Sequence, residues 1–355
     1  MDLSHQKHLP EMDGIIGNQK AKDTLRQMLA RRRLPGTLMF AGPSGVGKRL
    51  FAVELARAFN CHTPKGEWGC GVCAVCRRIG NFVLPPADDK DEHKKIAWGE
   101  HADVGMILPF NRNILVAAAR NLDTEAHFRP YEGVARVFLI EAADKLSEES
   151  ANALLKTLEE PPATTFIILL TARPAALLPT ITSRCQVIRF APLAAVEIEN
   201  HLIKNRRAST TDAALLARLA EGSMGRALSL NVTDYREQRN PMVEVLRALT
   251  IQPDPVRLLR VAEELTDAKR KERYERSLEV LAGLARDVWM LSLGALETGL
   301  VNVDILPQLK PISAHTPSQR AAHWLTAIAE HLQRLNVNIN RKVATDALFL
   351  SLAKS

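Results

Sequence analysis

Residues 42–49 read Gly-Pro-Ser-Gly-Val-Gly-Lys-Arg, a glycine-rich loop closed by a lysine. In this pattern the glycines let backbone N–H groups wrap a chain of phosphates. The lysine reaches the terminal phosphates, and a Ser/Thr hydroxyl after it holds magnesium. Here the hydroxyl is replaced by Arg49, whose guanidinium offers a metal no oxygen, and Leu50 cannot substitute. Gly42, Gly45, Gly47, Lys48 and Arg49 are therefore the candidate cofactor-binding residues. They leave ATP or ADP binding open, with tightly held Mg²⁺ not expected. A chance glycine turn is the bland alternative. Against it, the loop follows an apolar strand and opens a helical pattern, the context a phosphate loop requires.

Hydrolysis also needs a carboxylate for the metal's water shell and a group that positions the attacking water. The apolar run Val137–Ile140 leads into Glu141-Ala142-Ala143-Asp144. With Glu141 at the metal position, the base position holds Ala142. One register earlier Glu141 becomes the base, and Ile140 falls at the metal position. Either reading leaves a hole, and a missing general base costs roughly 10²–10⁴ in rate. No intrinsic ATPase activity is expected.

Four of the five cysteines fall at Cys61, Cys70, Cys73 and Cys76. Two successive C-x2-C steps let thiolates converge on one ion, and four thiolates suit a closed, structural Zn²⁺ site. In a cytoplasmic chain a metal is favoured over a disulfide framework. An iron–sulfur cluster is disfavoured because Arg77-Arg78 stands where a C-x3-C-P run would follow. Plain reduced thiols remain open, as does His62 in place of Cys61.

Alternating strands and helices position these residues. Helix Asn18–Arg33 precedes strand Leu38–Ala41, the loop and helix Lys48–Asn60. Asn113–Phe128 reads as a helix, Arg136–Ile140 as a strand, and Ser147 caps helix Glu148–Leu158, which Pro161-Pro162 stops. Phe166–Thr171 and Val187–Phe190 are further strands. Pro85–Lys95 reads as an exposed loop. This order predicts a parallel α/β sheet to about Pro192. Helices near Val196–Arg206 and Asp212–Glu221 follow, and the rest is helical, with Leu278, Leu281, Ala285 and Val288 on one face.

The chain has 355 residues, 46% of them hydrophobic and 25% charged, ordinary values for a globular protein. Its net charge of +7 permits nucleic-acid contact. Aromatics make up only 5% and do not interleave with basic residues, so a single-strand stacking platform is not expected. No apolar run is long enough to span a bilayer. Residues 1–7 carry no apolar core or cleavage site, so no signal peptide is expected, and a cytoplasmic location is.

Together these segments resemble the bacterial DNA polymerase III clamp-loader subunits, a branch of the AAA+ family. The resemblance is carried by Gly14–Gln19, Gly42–Arg49, the four-cysteine module and Arg129–Gly133. Asn152–Pro162, Ser183-Arg184-Cys185 and Gly222–Leu228 extend it, and Asn336–Asn340 looks like the end of a collar domain. It implies α/β plus all-α architecture. An AAA+ P-loop sheet core with an inserted zinc module would span 1–192, a small helical lid 193–238, and a helical collar 239–355. It also implies a hetero-oligomeric ring with gamma/tau ATPase subunits and a delta subunit, acting on a sliding clamp and primed DNA in the replisome.

Within that family the altered residues point to the rigid, non-hydrolysing stator. Gly225 stands where motor subunits carry a sensor arginine, with Arg226 one place later, and Thr171-Ala172 puts alanine at or beside the polar sensor. Arg184 is by resemblance the catalytic residue, an arginine finger acting in trans on a neighbour's nucleotide; its bland reading is a surface arginine capping a loop. Glu159 and Glu160 are expected at a helix end and subunit edge, and Cys185 in an apolar setting. An active gamma/tau-like motor and a stand-alone AAA+ DNA-repair ATPase are the competing readings. A zinc-dependent nucleic-acid reader is a third class.

Overall fold

The computed structural model describes residues 12–205, 207–266, 271–335 and 340–354. Residues 1–7 and 336–339, on which two expectations fall, lie outside these. The chain divides into two compact units, residues 1–201 with 220–228, and residues 202–219 with 229–355.

In the first unit α1 (Gln19–Ala30) precedes β1 (Thr37–Ala41), α2 (Lys48–Asn60) and the short α3 (Ala74–Ile79). β2 (Ala97–Trp98), β3 (Val104–Ile107), α4 (Val116–Ala126) and β4 (Arg136–Ile140) follow. α5 (Glu148–Glu159), β5 (Thr165–Thr171), α6 (Pro179–Thr182), β6 (Gln186–Arg189) and α7 (Ala195–Lys204) complete the alternation, α7 running on into the second unit. The six strands lie in the order β2-β3-β4-β5-β1-β6, all parallel except the antiparallel edge β2.

Every residue of β1 and β4 is buried, which is why these strands read as unbroken apolar runs rather than alternating ones. Their side chains still alternate between two cores. Leu38 and Phe40 pack with α2 residues Phe51 and Leu55 on one face of the sheet. Met39 and Ala41 pack with Ala118, Leu122, Leu154 and Leu158 of α4 and α5 on the other.

α2, β4 and the Ser147-capped α5 form as expected, the Ser147 side chain accepting from the Ser150 N–H. α3, β2 and β3 are additions. β3 is short and interrupted by Gly105, where a Cβ would come within 2.5 Å of Ile96, so the residue that lets the strand form also hides it. α4 starts at Val116 rather than Asn113, because Phe110 and Asn113 pair in a bridge and the Ile114 N–H donates to the Lys145 carbonyl. Pro85–Lys95 is mostly loop, but it is not wholly exposed. His93, in a turn of 3₁₀ helix at Glu92–Lys94, is buried edge-on against Phe110 at 5.2 Å.

The second unit is helical. α8 (Thr210–Leu219) belongs to it, whereas α9 (Met224–Ser229) lies almost wholly in the first unit. α10 (Val232–Thr250), α11 (Pro255–Thr266), α12 (Lys271–Ser292), α13 (Leu306–Ala314), α14 (Ser318–Arg334) and α15 (Arg341–Lys354) follow. Leu278, Leu281, Ala285 and Val288 of α12 are fully buried, as their spacing predicts. The core has polar locks. Tyr274 Oη shares hydrogen bonds with His331 (2.8 Å) and Thr345 (2.6 Å), and Trp324 Nε1 donates to the Leu352 carbonyl (3.0 Å). The architecture is α/β plus all-α: a parallel-dominated P-loop sheet with an inserted cysteine module, followed by a helical region.

Candidate functional site

The carboxyl ends of β1, β4 and β5 lie side by side, with β1 between β5 and β6 although it comes first in the chain. Parallel sheets bind ligands in the crevice at such a reversal of strand order. Gly42 to Gly47 follow β1 there, Glu141 follows β4, and Thr171 ends β5. Gly45 and Gly47 have φ of +75° and +101°, a region that L side chains enter only with strain. Gly45 is doubly constrained, since a Cβ would come within 2.1 Å of Ser223. The N–H groups of Gly45, Val46, Gly47 and Lys48 donate to no protein acceptor among the described residues. That is the free fan of donors a phosphate loop presents.

Lys48 is buried, and its Nζ donates to the carbonyls of Gly42 (2.6 Å) and Pro43 (2.7 Å). Burial lowers its pKa, with Glu141 and Asp144 opposing that shift. Arg49 turns to the opposite strand end, where its Nε donates to Glu141 Oε2 at 2.8 Å. Both side chains are about a quarter exposed, at 24% and 27%. The second carboxylate near the loop is tied as well. Asp144 accepts from Thr171 Oγ1 (2.9 Å) and from Arg173 Nε and Nη2 (3.0 and 2.9 Å). Burial alone would raise the Asp144 pKa; these donors outweigh it and lower the value.

The two registers at the end of β4 are distinguished by burial. Ile140 is fully buried in the core, so Glu141 is the residue that reaches the loop and Ala142 the next, with φ +48°. The residues do not fit a magnesium ion. Mg²⁺ demands oxygen ligands in near-octahedral geometry, whereas position 49 supplies a guanidinium that already holds the facing carboxylate.

The segment Gly222–Leu228 meets the loop through backbone. The Gly225 N–H donates to the Gly45 carbonyl at 3.0 Å. Arg226 is exposed and bonded to Glu221 at 2.8 Å. Arg184 follows α6, and its side chain is 29% exposed. It donates through Nε to Glu159 Oε2 (2.7 Å) and through Nη1 to the Thr180 carbonyl (2.9 Å). Glu159 is the last residue of α5 and is 55% exposed. Cys185 donates to the Ile181 carbonyl, and burial pushes its thiol up to about 12.

The sulfur atoms of Cys61, Cys70, Cys73 and Cys76 all lie within 4.8 Å of one another. Two of the separations are 3.9 Å (Cys61–Cys73) and 4.0 Å (Cys70–Cys76). Four sulfurs about 2.3 Å from a zinc ion stand about 3.8 Å apart, so the donor set and its spacing fit zinc. Backbone N–H groups of Cys70, Cys73 and Cys76 donate to the sulfurs of Cys61, Cys70 and Cys73 at 3.3–3.4 Å. His62 is exposed and outside this group. None of the five cysteines is joined in a disulfide.

Three ties of this module were not legible beforehand. Arg57 of α2 is buried, donates to the Cys76 carbonyl at 2.9 Å and pairs with Glu54. Arg78 grips Glu132 through two bonds of 3.0 and 2.7 Å. Arg78, and with it the Ala102 N–H, holds the Glu132 pKa down to about 2 despite some burial. Half of the Arg77-Arg78 pair is thus engaged within the protein. Asp103, fully buried, accepts the N–H groups of Tyr131, Glu132 and Gly133 at 2.7, 2.9 and 2.7 Å. That explains how the Arg129–Gly133 segment is held ahead of β4.

Known proteins resemble this chain along its sequence. The family described as DNA polymerase III, delta subunit, matches residues 17–194. The DNA polymerase III subunit delta' of Bacillus subtilis (strain 168) is 29% identical over 329 residues, 92% of this chain and 94% of that one. Subunit delta' of Escherichia coli (strain K12) is 29% identical over 323 residues, 89% and 88% of the two chains. Subunit tau of the same E. coli strain is 34% identical over 223 residues, 61% of this chain but 32% of its own length. Likeness to tau is thus confined to a part, while likeness to delta' runs along nearly the whole chain, and the chain belongs to the DNA polymerase III delta subunit family as a clamp-loader subunit of the delta-prime type.

Proposed function

We propose that this chain is the stator of a clamp loader. It would assemble with gamma/tau ATPase subunits and a delta subunit in a hetero-oligomeric ring that opens a sliding clamp and loads it on primed DNA. Its setting would be the DNA polymerase III holoenzyme, in a cytoplasmic, nucleoid-associated replisome. Among the described residues no helix is long and apolar enough to cross a membrane. The divisions 1–192, 193–238 and 239–355 would serve as nucleotide-binding-like core, lid and collar, and zinc on Cys61, Cys70, Cys73 and Cys76 would be structural.

The observation that carries the proposal is an asymmetry. Glu141 is held by Arg49 and is followed by Ala142, so neither a metal ligand at 49 nor a general base at 142 is on hand. Arg184, by contrast, remains at the surface on a partner it can exchange. The loop keeps a nucleotide cradle in Gly42, Gly45, Gly47 and Lys48 without the groups that turn nucleotide over. Arg184 would act on the nucleotide of an adjacent motor subunit, where a guanidinium meets charge developing on the transferred phosphoryl group.

The test is steady-state ATP hydrolysis by the purified chain with magnesium. The expected result is no turnover above background. Brisk magnesium-dependent turnover would overturn the stator reading and make the chain a motor.

A further inference from the structure

The pairing of Arg49 with Glu141 has a chemical consequence for what the loop holds. In a phosphate loop with Ser or Thr at this position, magnesium supplies the positive charge that offsets the β- and γ-phosphates. In this chain an arginine stands at the same place, on the first turn of α2, one residue beyond Lys48. Its Nε is anchored at 2.8 Å on Glu141, the carboxylate that would otherwise serve the metal. Among the described residues its two terminal nitrogens have no protein partner. A guanidinium held through Nε keeps its remaining N–H donors in one plane, the geometry that suits phosphate oxygens.

The local charge count agrees. Lys48, Arg49 and Arg173 face Glu141 and Asp144. Three cations against two carboxylates leave one net positive charge; with a hydroxyl at position 49 the sum would be zero. A divalent ion would have to displace Arg49 from Glu141 and then sit beside it, where like charges repel. The same site takes a polyanion without rearranging that pair.

We propose that the loop Gly42–Arg49 binds a nucleoside di- or triphosphate without a divalent cation, Arg49 braced by Glu141 serving as a built-in, non-exchangeable counter-charge. This rests on the reading of the loop as a nucleotide cradle. It extends that reading to the form of the ligand: free ATP or ADP rather than the magnesium complex.

Calorimetric titration of the full chain with ATP and with ADP tests this, each in excess magnesium and in excess EDTA. The dissociation constants are expected to agree between the two buffers within about two-fold. Arg49→Ser, which restores a hydroxyl, is expected to weaken binding in EDTA about ten- to hundred-fold, the loss of one or two charge-assisted hydrogen bonds, and to make binding respond to magnesium. Lys48→Ala is expected to weaken binding equally in both buffers. Thermal melting of each variant shows whether it is folded, and the two-buffer comparison on the unaltered chain decides without any variant. Binding by the unaltered chain that tightens about ten-fold or more with magnesium overturns the inference and leaves the cradle standing. No binding in either buffer overturns both, while the stator reading, tested by turnover, is untouched.

Discussion

Substituting Arg184 separates a finger from a surface ornament, and the structure sets the size of the difference. Arg184 lies on Glu159 at 2.7 Å, with the two side chains 29% and 55% exposed. A solvent-exposed pair of this kind contributes about 0–1 kcal/mol, so freeing the arginine costs a factor of about five at most. An arginine reaching a neighbour's transferring phosphoryl group is worth about 10³–10⁵ in rate, roughly 4–7 kcal/mol. The second term dominates by several kcal/mol, so Glu159 can hold the side chain without withholding it. Arg184→Ala in the reconstituted loader is therefore expected to slow ATP hydrolysis at the adjoining motor site by about a thousand-fold or more. Glu159→Gln is expected to change it by no more than about five-fold, in the direction of faster turnover. The assay is single-turnover hydrolysis with the other motor sites silenced, on complexes shown by gel filtration to be fully assembled. Arg184 and Glu159 both lie at the surface, so neither change empties the core. If Arg184→Ala left the rate within about two-fold in an intact complex, the argument from an exchangeable surface arginine would be refuted.

The remaining predictions concern the cysteine module and the segment ahead of β4. Elemental analysis is expected to find zinc bound to the chain, and Cys73→Ser or a strong chelator to remove it. Either should lower the melting temperature, because Val75 and Ile79 beside the ligands are packed into the first unit's core. The Arg78–Glu132 pair predicts a pH dependence. Because the Glu132 pKa is depressed to about 2, its contribution is present above the unfolded value near 4.5 and lost as pH falls through about 2. The melting-temperature gap between the unaltered chain and Glu132→Gln should therefore close over that range, and a constant gap would contradict it. Asn60, buried, accepts the N–H groups of Val134 and Ala135 at 2.8 and 3.0 Å. Asn60→Ala orphans both donors and should cost about 2–5 kcal/mol in chemical denaturation, whereas a loss below about 1 kcal/mol would mean that water replaces the amide.

Much of the sheet was readable because its strands are buried on both faces. Arg136–Ile140 and Phe166–Thr171 stand out as apolar runs among charged segments, and Ser147 announces the helix it caps. β3 escaped because Gly105 interrupts it, and α3 because a six-residue helix among the clustered cysteines has too little periodicity to detect. The site was legible as a catalogue of types. The glycines and lysine of residues 42–48, the arginine at 49, the pair Glu141-Ala142 and four cysteines in C-x2-C steps are residue types read directly from the chain, whatever its fold.

What those residues do to one another was not legible. Arg49 and Glu141 are 92 positions apart, Arg78 and Glu132 54, Arg184 and Glu159 25. No local period links such pairs, because a side chain's partner across a sheet depends on strand order, and here β5 lies between β1 and β4. The Gly225 N–H meets the Gly45 carbonyl through backbone, which residue identity barely records. By itself the sequence determined which reactive groups were kept and which were lost. Only the tertiary structure decided that Arg49 is tied to Glu141, because only the folded sheet brings the ends of β1 and β4 within reach of one side chain.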